Sequence, residues 1–308
     1  MRGAGAVAAL LVLPLVLGAC TGEENAPGPV ETPADAVAVA SFDFPESELI
    51  AEIYAQALVD AGVPVRREPG LGPRELVQPA LEQGLVDLVP EYLGAALSSV
   101  APQSSVDRHD PVATRNALDT ALRRWSLRTL TPSTATNQNA LVVSRSTART
   151  LGLHTISDLR GEAPRLTIGV PPECPRRDYC LPALSRVYGL RFGTVTLLST
   201  ESQRVTALRE NVVDVALLFT TDGSLASDDV VMLRDDRSLQ PAENVVPVVS
   251  EHALRRHGDR LAGTLDRISE RLTSENLRFL NWRVETGHGI AAEARGWLLR
   301  HGLVTRPG

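Results

Sequence analysis

Aromatic side chains follow closely on segments that the sequence predicts as β-strands. Tyr92 comes just after the apolar run 85–89, and Phe42 and Phe44 lie in the loop after the first predicted strand, residues 37–41. Ligands of open α/β sheets bind beyond the carboxyl ends of the strands. We therefore predict that these three rings line a binding site for a small solute. The alternative is that the rings pack in the core.

A second group of candidate binding residues lies further along the chain. Phe219 ends another apolar run, and Thr220 and Asp222 follow it directly. The Asp222 carboxylate could cap the local turn or meet a cation. Asn139 ends a polar connector, where its amide could bond a ligand or belong to a turn. Thr200 stands at a predicted helix N-terminus, which favours either a bound anionic group or simple capping.

The first twenty residues predict a leader that is removed from the mature protein. Arg2 supplies positive charge, residues 6–17 are apolar but too few to span a bilayer, and small residues precede Cys20. This ending resembles the bacterial lipobox, which implies a lipid on Cys20; a plain secretory signal peptide is the alternative. Residues 21–35 are rich in Pro, Gly and Glu and predict a flexible tether. No later apolar run approaches membrane length, so we expect a soluble, extracytoplasmic body anchored to the cell membrane.

Two cysteines remain after the leader, Cys174 and Cys180. In an exported protein such a pair predicts a disulfide. The alternative, a metal-binding pair, would need further Cys or His side chains, which the neighbouring sequence lacks. Arg177 and Tyr179 lie inside the loop that the disulfide would close. Arg177 could clamp a carboxylate group of the solute, although a solvated surface arginine fits the sequence equally well.

The composition argues against several classes of function. The 31 basic residues are all arginine, the formal net charge is −6, and no basic block suggests binding to nucleic acid. The chain lacks the sequence motifs of serine hydrolases, zinc proteases and P-loop enzymes, and its six histidines are scattered. We therefore expect neither an enzyme nor a protein with a metal or another cofactor.

Predicted strands alternate with helical segments through most of the chain, and residues 251–302 are helical by period. The first helix is expected to begin near residues 43–46 with Asp43 as its N-cap, and another to begin at Pro90 and Glu91. This alternation predicts an α/β fold built on mixed, mostly parallel sheets with helices on both faces.

The chain also contains a weak internal repeat. Residues 80–88 align without a gap with residues 207–215. Gly84 and Asn211 share the position where a helix ends, and both residue types tolerate the left-handed conformation. A strand that ends at an aromatic residue follows in each case. The repeat favours two lobes of like construction that present strand ends to a shared cleft; two unrelated helix–strand units are the alternative.

Five internal stretches of the sequence, together with the C-terminal residues 272–281 and 297–299, resemble in their order the substrate-binding proteins of osmoprotectant (glycine betaine, carnitine, choline) ABC transporters. The resemblance spans nearly the whole mature chain and includes the family's Asp-x-x-Pro-Glu-Tyr-x-Gly signature. The matching stretches are Ser41-Phe-Asp-Phe-Pro-Glu46, residues 51–58, Asp87-Leu-Val-Pro-Glu-Tyr-Leu-Gly94, Phe219-Thr-Thr-Asp-Gly223 and Asn244-Val-Val-Pro-Val248.

The resemblance implies a two-lobed periplasmic-binding-protein type II fold, with residues 36–135 and 246–308 in one lobe and residues 136–245 in the other. It also implies a monomeric receptor that closes on a small polar solute and delivers it to ABC permease subunits. Family members that bind quaternary ammonium compounds hold the cation among aromatic rings. Val89, Leu181 and Cys174 stand where many members carry such rings. A structural or sensing protein that keeps the fold without transport is therefore the alternative function.

Overall fold

The computed structural model describes Pro33 and residues 35–305. The leader, its Cys20 and residues 21–32 and 34 of the expected tether lie outside the described residues. Among the described residues, no helix is both long and apolar enough to cross a membrane.

The described residues form ten strands in two five-stranded sheets. The strands are β1 (Val37–Ala40), β2 (Val65–Glu68), β3 (Leu88–Tyr92), β4 (Leu127–Thr129), β5 (Asn139–Ser144), β6 (Thr167–Val170), β7 (Thr194–Leu197), β8 (Val215–Phe219), β9 (Val230–Met232) and β10 (Val245–Ser250). Sheet I has the order β2-β1-β3-β10-β4, and sheet II has the order β7-β6-β8-β5-β9. In each sheet one strand, β10 or β5, runs against the other four, so both sheets are mixed and mostly parallel.

Ten helices flank the sheets in the described part of the chain. They are α1 (Pro45–Asp60), α2 (Arg74–Glu82), α3 (Leu93–Val100), α4 (Pro111–Leu122), α5 (Arg145–Leu151), α6 (Leu181–Ala183), α7 (Glu201–Arg209), α8 (Glu251–Arg271), α9 (Ser274–Glu285) and α10 (Ile290–Arg300). A π-helical turn, Leu184–Tyr188, continues α6, and short 3-10 turns include Gly223–Ala226 before β9.

The central strands, such as β1, β3 and β10, are buried and apolar on both faces because helices cover both sides of the sheet, whereas the edge strands β2 and β7 are half-exposed or exposed. In β1, Val37 and Val39 pack into one core cluster, whereas Ala38 and Ala40 pack into a second cluster across the sheet. Side chains of a strand alternate between its faces, so a continuous apolar run is typical of a doubly covered strand. The short apolar runs of the sequence therefore mark the central strands correctly.

One predicted helix start is wrong. Pro90 and Glu91 do not open a helix; they continue β3, and the helix begins at Leu93. Pro90 lies opposite Pro247 of antiparallel β10, and the Pro247 carbonyl accepts from the backbone N–H of Leu130 on its other side. The two prolines therefore form a non-hydrogen-bonded pair of the ladder, where a missing N–H costs no bond between β3 and β10.

The expected cap of the first helix is also wrong. Asp43 is exposed, and Phe44 occupies the N-cap position without a capping side chain. Pro45 begins the helix, where its missing N–H has no intrahelical partner to lose. The turn is instead held by Ser47, whose hydroxyl accepts from the Phe42 N–H at 3.0 Å. This start places Phe44 and the next acidic residue at the mouth of α1.

The internal repeat corresponds to equivalent positions in the two sheets. Gly84 and Asn211 both adopt left-handed backbone, with φ of 72° and 57°, at the ends of α2 and α7. Three residues later, Asp87 and Asp214 accept from a backbone N–H of the neighbouring strand, β1 or β6, at 3.1 and 2.8 Å. Each unit then enters the strand third in order in its sheet, β3 or β8.

Residues 130–138 and 233–244 connect the two sheets, and they pair with each other through an antiparallel bridge between Thr136 and Asn244. Helix α9 packs against the 3-10 turn that begins at Gly223. A Cβ atom at Gly223 would lie 2.6 Å from the backbone nitrogen of Trp282, so only glycine permits this approach. The lobe boundaries expected from the sequence stay predictions.

Candidate functional site

A cleft of about 930 Å³ opens between α1 and α9 on one side and α7 and the end of β8 on the other. Its lining combines rings, carboxylates, amides and hydroxyls drawn from distant parts of the chain. The lining residues that matter most here are Phe44, Glu46, Asn137, Glu201, Phe219, Thr221, Asp222, Asn281, Trp282 and Glu285.

Glu46 is the hub of the hydrogen bonds at the back of the cleft. Its Oε1 accepts from the Tyr92 hydroxyl at 2.7 Å and from Asn137 Nδ2 at 2.8 Å. Its Oε2 accepts from Asn281 Nδ2 at 2.7 Å, and the same amide nitrogen donates to the Thr221 carbonyl at 2.7 Å. Glu46 therefore ties α1 to β3, to the 130–138 connection and to α9, while Asn281 extends the contact to the loop after β8. A carboxylate at the first turn of a helix is further favoured by the helix dipole.

Tyr92, the residue most strongly expected to line the site, instead lies behind it. It is only 7% exposed, because its hydroxyl is committed to Glu46 and its ring packs behind Phe44, with ring centroids 6.2 Å apart. Burial, and then the charge of Glu46, raise the pKa of the Tyr92 phenol well above its usual value, so the group remains a neutral donor. Phe42 is likewise buried and stacks on Phe44, with ring centroids 5.8 Å apart. The Arg74 guanidinium lies over the Phe42 ring, 4.9 Å from its centroid.

Three rings line the cleft: Phe44, Phe219 and Trp282. The first two are among the aromatic residues that the sequence singles out, whereas Trp282 is not. Trp282 lies on α9 and contacts Phe279 with ring centroids 5.9 Å apart. The one sequence signal that could have found it is this pair of bulky rings three residues apart on the polar side of a helix.

Carboxylates from three separate elements form the polar wall of the cleft: Glu201 at the start of α7, Asp222 before the 3-10 turn, and Glu285 at the end of α9. Burial, and then the charge of Asp222, raise the pKa of Glu201 to about 7 and also raise that of Glu285. Buried Arg204 offsets part of this charge, but its guanidinium donates to the carbonyls of strand β8 and residues 198–199. The wall is therefore electronegative and suited to a cation.

Two acceptor atoms in this wall have no hydrogen-bond partner. Asp222 is only 5% exposed; its Oδ1 caps the following turn by accepting from Ser224, and its Oδ2 is unpaired. Asn137 donates its Nδ2 to Glu46, which leaves its buried Oδ1 without a partner. Because a carboxylate can only accept, Glu46 fixes which way the Asn137 amide points. Buried unpaired acceptors are costly, so a donor is favoured at both atoms. At Asp222 a protonated Glu201 carboxyl can supply that donor from within the chain.

The other expected site residues are not among those that line the cleft. The Asn139 amide donates to the Tyr179 carbonyl at 3.0 Å and to Gln240 at 3.2 Å. The Thr220 hydroxyl bonds the backbone of the 130–138 connection, donating to one carbonyl at 2.6 Å and accepting from one N–H at 3.0 Å. Thr200 caps α7 in a capping box with Gln203, the more conservative of the two sequence interpretations.

The cysteine loop contributes no residue to the cleft lining. Cys174 and Cys180 form a disulfide with their Cα atoms 5.3 Å apart. Arg177 inside this loop has a side chain that is 70% exposed and pairs with Glu173 at 3.6 Å, so it is directed to solvent. The Tyr179 ring instead meets His109, with ring centroids 6.5 Å apart. The described residues hold no group of three or more His, Cys, Asp or Glu side chains placed to bind a metal ion.

Comparison with known proteins identifies the family. Residues 35–299 match the family described as the substrate binding domain of ABC-type glycine betaine transport systems. The chain belongs to this family. A glycine-betaine-binding protein of Pseudomonas aeruginosa is 30% identical over 262 residues, which cover 82% of this chain and 83% of that protein. The carnitine transport binding protein OpuCC of Listeria monocytogenes is 25% identical over 280 residues, 90% of this chain and 88% of its own length.

Solved structures agree with the fold of this substrate-binding domain. A glycine betaine/carnitine/choline ABC transporter protein superposes with a TM-score of 0.79 at 23% identity, covering 87% of this chain and 99% of that one. The ligand-free YehZ protein of Escherichia coli gives a TM-score of 0.76 at 24% identity and covers 88% and 100% of the two chains. The two mixed sheets flanked by helices therefore have the periplasmic-binding-protein type II fold that the sequence predicts.

Membership of the family establishes the general role of the chain. It is a solute-binding receptor of an ABC importer rather than an enzyme. Receptors of this kind act outside the cytoplasm, where they bind small solutes and work with permease components of the transporter. The cleft between the two sheets is the position that this role requires, because ligands of α/β domains bind at strand ends and between domains.

Proposed function

We propose that the cleft binds a small organic cation or zwitterion with a positively charged nitrogen, of the class that includes glycine betaine, carnitine and choline. The observation that carries the proposal is the presence of three rings, Phe44, Phe219 and Trp282, in one cleft with the carboxylates of Glu201, Asp222 and Glu285. Ring faces attract cations, and carboxylates add a compensating charge in a partly dry site. The names of the related proteins point to the same class of solute.

We also propose how the receptor releases its solute to the transporter and how it is held at the membrane. Closure of the two lobes around the solute, through the connections 130–138 and 233–244, would hide the bound cation from water and present one surface to the permease. A lipid on Cys20 would hold the monomeric receptor at the membrane, and the tether before Val37 would let it reach the transporter. The order of the leader, its cysteine and the Pro- and Gly-rich segment supports this part of the proposal.

Calorimetric titration of the purified protein with glycine betaine, carnitine and choline tests the proposal. We expect saturable binding of at least one of them, and the Phe219→Ala variant should weaken it roughly ten- to thirtyfold through the loss of about 2 kcal/mol of cation–π attraction. Trp125→Ala is the matched control, because that ring stacks under Arg124 at 3.7 Å outside the cleft. Absence of binding across a broad series of cationic and zwitterionic solutes would contradict the proposal.

A further inference from the structure

Two residues that the sequence assigns to the solute site, Asn139 and Tyr179, meet Gln240 in a separate polar cluster. The Tyr179 carbonyl accepts from Asn139 Nδ2 at 3.0 Å and from Gln240 Nε2 at 3.2 Å. Asn139 Nδ2 also donates to Gln240 Oε1 at 3.2 Å. The three residues are not among those that line the cleft. We call this cluster the amide clasp, since two side-chain amides hold one backbone carbonyl.

The amide clasp lies where both inter-sheet connections reach sheet II. Asn139 is the first residue of β5 and directly follows the connection 130–138, whereas Gln240 belongs to the connection 233–244. Nearer to sheet I, the two connections pair with each other through an antiparallel bridge. One carbonyl therefore ties both connections to the loop after β6 at a common point. Rotation of one sheet relative to the other must then bend the connections between this point and sheet I.

The disulfide fixes the loop that carries this carbonyl. Cys174 and Cys180 are both buried in the apolar core cluster of sheet II, while residues 175–178 between them are exposed. An exposed loop of this kind samples many backbone conformations when its ends are free. The covalent link removes most of these conformations, and it places Tyr179 directly beside a buried, anchored residue. The disulfide thereby makes the backbone carbonyl a fixed acceptor for the two amides.

The Tyr179 ring extends the amide clasp to an element of sheet I. It meets the His109 ring edge-on, with ring centroids 6.5 Å apart. His109 Nε2 lies 3.3 Å from the carbonyl oxygen of Leu239, one residue before Gln240. His109 directly precedes Asp110, the N-cap of α4, and this helix packs beside β4 of sheet I. One short loop of sheet II thus contacts both connections and a segment of the other sheet, through residues outside the cleft lining.

We propose that the amide clasp and its disulfide are positioning elements for closure of the two lobes; this inference rests on the function proposed above. They hold the two connections in one arrangement in the solute-free protein, so that the lobes close with little further ordering. Ordering that is completed before a ligand binds costs no affinity, whereas ordering that occurs on binding reduces it. Asn139, Tyr179 and Gln240 therefore raise the affinity for a solute that they do not touch.

A double variant, Asn139→Ala with Gln240→Ala, removes both donors and leaves the disulfide and the cleft lining intact. In hydrogen–deuterium exchange without solute, amides of residues 130–138 and 233–244 should exchange at least tenfold faster than in the wild-type protein, because the connections now open locally. Calorimetry should show that choline binds at least fivefold more weakly, and bound choline should restore most of the lost protection. Tyr179→Phe is the control, since it keeps the carbonyl and the ring and should match the wild-type protein.

Unchanged affinity, or unchanged exchange in the two connections, would overturn the inference. Faster exchange spread evenly over all helices and strands would also overturn it, since that pattern marks a merely structural loss of stability. If the double variant does not fold, Cys174→Ser with Cys180→Ser decides in its place, with the same expected changes in exchange and affinity. A wild-type protein that binds none of glycine betaine, carnitine and choline would overturn the proposed function and with it the role in closure. The solute-free exchange separates that outcome from a failure of the amide clasp itself.

Discussion

Replacement of Glu46 by leucine is expected to lower the free energy of unfolding by about 3 kcal/mol and the midpoint of thermal unfolding by roughly 6–12 °C. Leucine keeps most of the bulk of the side chain but removes an acceptor that satisfies Tyr92, Asn137 and Asn281. Each of these donors would then face an apolar group in a buried setting, at a cost of about 1 kcal/mol or more. Chemical denaturation followed by circular dichroism measures the change.

Glu52→Leu is the matched control because Glu52 lies on the same helix and also accepts three hydrogen bonds, one from Gln56 at 2.8 Å and two from Arg67 at 2.8 and 3.4 Å. These partners are solvent-accessible, and exposed ion pairs contribute little, so we expect a loss below about 1 kcal/mol. Similar losses in the two variants would mean that the Glu46 cluster does not hold α1, the connection and α9 together.

The affinity for choline is expected to rise about tenfold between pH 6 and pH 8. Choline keeps its charge across this range, so the change reports on the protein. Burial and then the Asp222 charge raise the pKa of Glu201 to about 7, so at pH 6 the free carboxyl is mostly protonated and the wall is less negative. Cation binding favours the ionised form and should therefore release a proton. The charged groups that act on Glu201 are Asp222, Arg204 and Glu285.

The raised pKa of Glu201 also affects the stability of the unliganded protein. Stability should fall with rising pH, whereas the affinity for choline should rise. A carboxyl whose pKa is higher in the folded state than in the unfolded state holds more protons when folded, so stability should decline as pH rises from about 4.5 to about 7. Glu243, whose pKa burial raises to about 7, adds to this decline although it is not among the residues that line the cleft. In Glu201→Gln the pH dependence of choline affinity should disappear while the Glu243 part of the stability change persists. Retention of the full affinity change in this variant would rule out Glu201 as its source.

The sequence predicts the fold better than it predicts the site. Strands buried on both faces stand out as short apolar runs, and the left-handed residues Gly84 and Asn211 mark both helix ends of the internal repeat. These signals are local and depend on backbone geometry. Pro90 is misread because local signals do not include distant partners. Whether a proline is tolerated within β3 depends on Pro247, a strand partner more than 150 positions away in the sequence.

The site depends on long-range contacts that local patterns do not contain. Tyr92 does end a strand, but whether its ring enters the cleft is decided by the Glu46 carboxylate and by Phe44 in front of it. Helical periodicity places Trp282 and Glu285 on the outside of α9, and only packing against Gly223 shows that this outside faces the second sheet. A close approach without a Cβ atom leaves no pattern in the sequence beyond one glycine among 23.

Tryptophan fluorescence during a choline titration tests most directly whether the solute binds in the cleft between the two sheets. Trp282 lines the cleft, Trp125 stacks under Arg124, and Trp297 is buried beside His301. We expect a saturable change in emission in the wild-type protein that is lost in Trp282→Phe, whose phenyl ring still binds the cation by calorimetry. An undiminished emission change in Trp282→Phe would show that choline binds elsewhere and would contradict the account.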